Sequence, residues 1–263
     1  MNNVTRKKVK VGKPGRRGLL ARVKSKLNLD GRVKVDFYYR WNSIGDHGVI
    51  SQIFCNTDYD LSKFPLSKKL AQHRDAVRAA GKQLLIVDAG ANIGASAVYF
   101  SITYPDSQIV AIEPEKNNVE LLTMNCRDRN VAVQAAAISA APGTLYLSDP
   151  GISDWGFRTG AEGQYAVEAV TVGQILKTHG PDRYAPFICK IDIEGAEKDL
   201  FGANYDWMTQ FAVIIIELHD WMLPGEGNSR NFLKALSEHN FDMVFKGENA
   251  FCFNNDVLKA YGS

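Results

Sequence analysis

The chain has 263 residues, 45% hydrophobic and 23% charged, with a formal net charge of +2. These are the proportions of a soluble globular protein, and no apolar run approaches the roughly 20 residues that span a bilayer. Four scattered cysteines, Cys55, Cys126, Cys189 and Cys252, form no C-x-x-C pair, which points to a reduced, cytoplasmic chain and against a disulfide framework or zinc site.

The net charge conceals an asymmetry. Residues 1–26 hold ten Lys/Arg and no acid, leaving 21 bases against 29 acids in the rest. "GLLARV" is too short for the apolar core of a signal peptide. Residues 1–30 are expected to form a basic arm without a packed fold. Residues 1–26 read either as a solvated tail or as a segment drawn weakly to an anionic membrane, giving a peripheral location. Nucleic acid is the poorer partner, because the body is acidic and no aromatic residue interleaves the arm's charges.

A strand–helix cap is expected over 31–82. "RVKVDFYY" (32–39) reads as a strand, "VISQIFCN" (49–56) as a second extended segment, and 67–81 as a helix closed by Gly81. From residue 83 to 263 strands alternate with helices. Strands are expected at 84–88, 108–112, 131–137, 187–192, 211–217, 241–245 and 250–254. Helices are expected near 94–103, 115–128, 172–178, 196–202 and 228–239. "LLIV" and "FAVIIIEL" lack polar alternation, as strands covered on both faces do. The pattern predicts an α/β fold: a Rossmann-like, doubly wound, mostly parallel seven-stranded sheet. A hairpin of "TLYL" with "AVEAVTV" interrupts it.

Ligands of such sheets bind beyond the carboxyl ends of the strands, where strand order reverses. "LLIVDAGANIG" ends a strand in Asp88 and enters a helix through Gly90 and Gly94, a loop that brings backbone close to a ligand. The next strand ends in Glu113, whose carboxylate can accept the hydroxyls of a ribose. A dinucleotide would require G-x-G-x-x-G, and an acid directly before the glycines repels a pyrophosphate. S-adenosylmethionine has a ribose, an ammonium and no phosphate, so the loop favours a methyl donor over NAD.

"VDAGANIG", "AIEPEKNNVELLTMNC", "AAAIS", "KIDIEGAEKDLFGA" and "IIIELH", in this order, resemble the FkbM family of S-adenosylmethionine-dependent methyltransferases over about residues 46–255. The resemblance implies a class I methyltransferase fold and transfer to a hydroxyl of a sugar, glycan or small natural product. It also implies that Asp88, Gly90, Asn92 and Gly94 line the methionine part of the cofactor and that Glu113 holds the ribose. Backbone near Ala136 would meet the adenine, and Ser153 and Trp155 in "GISDWGFRTG" would wall the cofactor.

At the reacting end, period-two alternation puts Lys190, Asp192 and Glu194 of "CKIDIEGAE" on one side, and Glu217 and His219 of "IIIELHD" likewise. Lys190 is a natural partner for these acids. Asp192 is assigned to both cofactor and reacting group, converging with Glu217 and His219 on one rim. An alcohol needs activation by a base or a metal. His219 is the expected base at neutral pH. Alternatively Asp192, Glu217 and His219 bind Mg²⁺ or a related divalent ion. An N-methyltransferase, an NAD-dependent oxidoreductase on the same fold, and an RNA-binding methyltransferase-like protein stay open as alternatives.

Overall fold

The computed structural model describes residues 19–25, 33–148, 158–160 and 162–259. Leu19–Ser25 (β1) pairs antiparallel with Val33–Tyr39 (β2). The expectation of an unstructured arm over 1–30 is corrected there: the sequence alternates Arg22 and Lys24 with Ala21 and Val23, a strand's period. The rest of the arm lies outside the described residues.

The extended reading of 49–56 is also corrected. Ser43 accepts from the Asp46 N–H and caps Ile44–Ile50 (α1), which runs on into a wider helical turn, Ser51–Cys55. Ile53 and Phe54 are buried in the core. The cap and this packing override a local β-propensity, which is a weak prior. A short 3₁₀ turn, Leu61–Lys63, precedes Ser67–Ala79 (α2).

The alternation then follows as Gln83–Ala89 (β3), Ala95–Thr103 (α3), Gln108–Ile112 (β4), Lys116–Asn125 (α4) and Val131–Gln134 (β5). The single strand expected at 131–137 is split, because Ala136–Ile138 (β6) leaves for a second sheet. Gly143–Ser148 (β7), Arg158–Gly160 (β8) and Tyr165–Val170 (β9) complete that sheet in the order β6-β9-β7-β8. The expected hairpin is its β7–β9 pairing. Thr171 and Gln174 form a capping box on Val172–Thr178 (α5). Tyr184–Ile191 (β10), Glu197–Leu200 (α6), Val213–Glu217 (β11), Arg230–Ser237 (α7), Phe241–Lys246 (β12), Asn249–Asn254 (β13) and Asn255–Lys259 (α8) follow.

The main sheet has seven strands in the order β12-β13-β11-β10-β3-β4-β5, and only β13 runs against its neighbours. Leu84 and Ile86 face one hydrophobic cluster, which includes Phe37 and Phe251; Leu85 and Val87 face the other, with Phe201 and Phe232. Both faces of β3 are thus covered, which is why its sequence lacks polar alternation. The chain leaves β3 for β4 and returns on the opposite side at β10, so the switch point lies at the carboxyl ends of those two strands. Among the described residues no helix is long and apolar enough to cross a membrane.

Candidate functional site

Asp88, at the end of β3, is fully buried beneath the glycine loop. Ser96 donates to its Oδ2 at 2.6 Å, and the Lys190 ammonium lies 3.3 Å from its Oδ1. Burial works against the charge on Lys190, but Asp192 and Asp88 outweigh it and hold the pKa above its ordinary value. Asp88, expected to meet a positive group of a ligand, has Lys190 as its positive partner, and that ammonium also donates to the Gly90 carbonyl at 2.6 Å.

The loop's residue types follow from its backbone. Gly90 has φ +75°, and a Cβ there would sit 1.7 Å from the Asp192 carbonyl oxygen. No side chain can occupy that crossing. Asn92 is left-handed at φ 49°, a region that Asn tolerates, and its Oδ1 accepts from the Ile93 N–H at 2.7 Å. Gly94, expected at the cofactor, caps α3 at φ +90°, and a Cβ there would meet Leu122.

The loop amides are occupied. Gly90 and Ala91 donate to the Ile112 carbonyl, Asn92 to Glu113 at 2.8 Å, Ile93 to Asn92, and Gly94 to Ala91. From 90 to 94 the loop therefore presents no N–H group free for an anion, contrary to the expectation drawn from a glycine turn.

Gly90, Asn92, Glu113, Ala136 and Asp192 border one cleft with about 560 Å³ of open space. Ala136 reaches it as the first residue of β6. Glu113 accepts from the Asn92 N–H through Oε2, and from the Glu115 N–H and the Asn118 side-chain amide through Oε1. Burial raises its pKa to about 7, although these bonds pull it down. Ser153 and Trp155 lie outside the described residues.

Asp192, just past β10, borders the same cleft beside Gly90. Lys190 lies 3.4 Å from its Oδ2, and Oδ1 is 3.7 Å from the buried His219 Nε2. Glu217 Oε1 is 3.6 Å and Glu194 Oε2 3.5 Å from the same nitrogen. The imidazole Nδ1 is 2.7 Å from Oε1 of the fully buried Glu197, whose Oε2 accepts from Asn228. Burial works to lower the His219 pKa, but the hydrogen bonds to Glu197 and Glu217 prevail and push it up to about 11. These contacts favour the protonated imidazole. His219, expected as the base, stands beside the cleft residue Asp192 with its Nδ1 held by Glu197. Burial and the negative charge of Asp192 push Glu194 up to about 8, against the pull of His219.

Asp192, Glu217 and His219 do come together, as period two requires. The trio whose ligand atoms lie mutually within 4.8 Å is Asp192, Glu194 and His219, so Glu194 replaces Glu217 in the expected metal set. Glu194 lies on the side that alternation gives it with Asp192, and the chain turns left-handed there, at Glu194 (φ 52°) and Gly195 (φ 99°). Sequence reasoning also missed Glu197 and Asn228. Glu197 carried a signal, an acid three residues after Glu194; Asn228 is 31 residues from its partner and carried none. Tyr59, buried in the N-terminal segment, is raised by that burial and senses the charges of Lys190, Asp192 and Asp88.

Residues 88–243 match the methyltransferase FkbM domain. The methyltransferase sdnD of Sordaria araneosa is 30% identical over 115 residues, a match spanning 42% of this chain and 38% of that protein. The chain thus covers little more than a third of this relative. Among solved structures, the O-methyltransferase of Bacillus cereus in complex with SAH is 13% identical. It covers 77% of this chain and 86% of its own, with a TM-score of 0.38. TomG of Streptomyces achromogenes, an O-methyltransferase of tomaymycin synthesis in complex with SAM, is 13% identical, with coverages of 81% and 90% and a TM-score of 0.38. These superpositions are loose, and the fold assignment rests on the strand order. With the glycine loop, both acidic strand ends and "KIDIEGAE" inside the matched stretch, the chain belongs to the FkbM methyltransferase family and has the class I methyltransferase fold.

Proposed function

We propose that the protein transfers a methyl group from S-adenosylmethionine to a hydroxyl of a sugar, glycan or small natural product. The observation that carries this reading is the cleft's polarity: it offers carboxylates, while the loop amides from Gly90 to Gly94 are already bonded within the protein. A pyrophosphate needs free N–H groups at such a loop. A nucleoside with a diol and a cationic sulfonium does not. This argues against NAD.

A carboxylate offers about four lone-pair sites, and Glu113 already uses three. One ribose hydroxyl would be accepted by Oε2. The second would draw on Asn118, whose 3.3 Å bond to Glu113 is the longest of the three. The donor's methyl would then point toward Asp192, where the acceptor binds. Trp221 supports a carbohydrate acceptor. It is 60% exposed and its ring lies 6.3 Å from that of His219, so a flat, electron-rich face is available to the C–H side of a sugar ring. N-methylation is the second reading, favoured by the cluster's negative charge, although a protonated amine lacks the lone pair that attacks.

The test is calorimetry with S-adenosylhomocysteine and with NAD, followed by mass spectrometry of candidate alcohols and amines incubated with the methyl donor. Binding of the first ligand and methylation of an alcohol are expected. Tighter binding of NAD, or methylation confined to amines, would overturn the reading.

A further inference from the structure

We infer that Asp192, Glu194 and His219 form a binding site for one divalent cation of the Mg²⁺/Mn²⁺ class, which would hold the acceptor hydroxyl. The cation's use rests on the proposed methyl transfer; its binding does not. Neighbouring ligands around an ion at roughly 2.1 Å stand about 3.0–3.5 Å apart. The His219 Nε2 lies 3.5 Å from Glu194 and 3.7 Å from Asp192, and all three ligand atoms fall within 4.8 Å.

Two further observations show donor atoms left without close partners. The Glu194 Oε2 is buried and has no hydrogen-bond partner, a costly state for a carboxylate oxygen. The Nε2 of His219, itself 1% exposed, has three carboxylates at 3.5–3.7 Å, all beyond the usual length of a good hydrogen bond. Its other nitrogen is held by Glu197, and Glu197 by Asn228. Metal-bound histidines are commonly oriented in this way by a carboxylate on the far nitrogen. Lys190 occupies one oxygen of Asp192 and leaves the other facing His219. Two carboxylates and one imidazole favour a hard ion with room for oxygen ligands.

A hydroxyl bound to the ion would lose its proton to water more readily. Its oxygen would attack the methyl carbon, the C–S bond would break, and its electron pair would return to sulfur as a neutral thioether.

Titration with Mn²⁺ alone, followed by the loss of the free-ion electron paramagnetic resonance signal, tests the site. The wild type should bind one ion per chain. Glu194→Gln should weaken binding at least tenfold, Glu197→Gln by about 10–100-fold, and Glu217→Gln by less than about threefold. Thermal unfolding of Glu194→Gln should stay cooperative, which shows that this variant is folded. No Mn²⁺ uptake by the wild type, or equal losses in Glu194→Gln and Glu217→Gln, would overturn the inference. Failure of the wild type to bind S-adenosylhomocysteine would instead overturn the donor assignment and leave the Mn²⁺ count standing.

Discussion

Glu113 keeps its proton up to about pH 7 in the free protein, because burial disfavours its charge. Ribose hydroxyls donate to the charged form, so binding must release that proton at lower pH. Affinity for S-adenosylhomocysteine should therefore weaken by up to about tenfold per pH unit below 7 and level off above it. Glu113→Gln should bind more weakly and show a flat profile by calorimetry; a flat wild-type profile would remove Glu113 from the ribose. Trp221→Ala should raise the acceptor KM by roughly tenfold while the affinity for S-adenosylhomocysteine stays constant. The placement of Glu113, Asp192 and His219 near strand ends was legible because each follows an apolar run that reads as a strand covered on both faces. The burial of Asp88 was not. Its partner Lys190 comes from a different strand, and only the parallel pairing of β3 with β10 brings them opposite each other. The partner of His219 was hidden for the same reason, since Glu197 reaches it from a helix 22 residues away.

At the scale of elements, strand ends and glycine loops were read more surely than the segments between them. The apolar runs of β3, β10 and β11 announce strands covered on both sides. "VISQIFC" misled because β-branched residues suit a strand locally, whereas Ser43 and the burial of Ile53 and Phe54 decide for a helix. The end of β5 was missed because nothing in "VAVQAAAIS" marks where the chain changes sheets. The glycine loop itself makes a sharp prediction. Gly90→Ala would combine a left-handed φ with a Cβ 1.7 Å from the Asp192 carbonyl oxygen. It should destabilise the protein by about 3 kcal/mol, a fall in Tm of roughly 6–12 °C. An unchanged melting curve would contradict the crossing of the two loops.

At the scale of the molecule, the segment before β3 is knit into the same core as the sheet. Phe37, Tyr39, Ile53 and Phe54 share a cluster with Ile86 and Phe251. Asn125 accepts from the Tyr38 N–H and donates to the carbonyls of Tyr38 and Ile93, while Arg40 reaches both Asp46 and Asn118. Removal of residues 1–40 should consequently abolish the cooperative thermal transition. Removal of residues 1–18, which carry seven Lys/Arg, should leave the transition and the affinity for S-adenosylhomocysteine in place. The shorter deletion should also reduce sedimentation with anionic vesicles at low salt, where such attraction is least screened. Equal sedimentation with and without these residues would leave the basic charges without a role at a membrane.

The contact of Gly90 with Asp192 has a consequence for how this scaffold can change. The Asp192 N–H donates to the Ala89 carbonyl, and Lys190 ties the Gly90 carbonyl to both carboxylates. On the proposed reading, the stop for the donor and the stop for the acceptor are thus machined from one block. Replacing the surface loop at 220–227 with unrelated sequence would alter which molecules arrive, without moving the gap that the methyl group crosses. A panel of such chimeras should keep one affinity for S-adenosylhomocysteine while their acceptor preferences scatter. Donor affinities that scattered together with acceptor choice would mean that the two ends are adjusted as one.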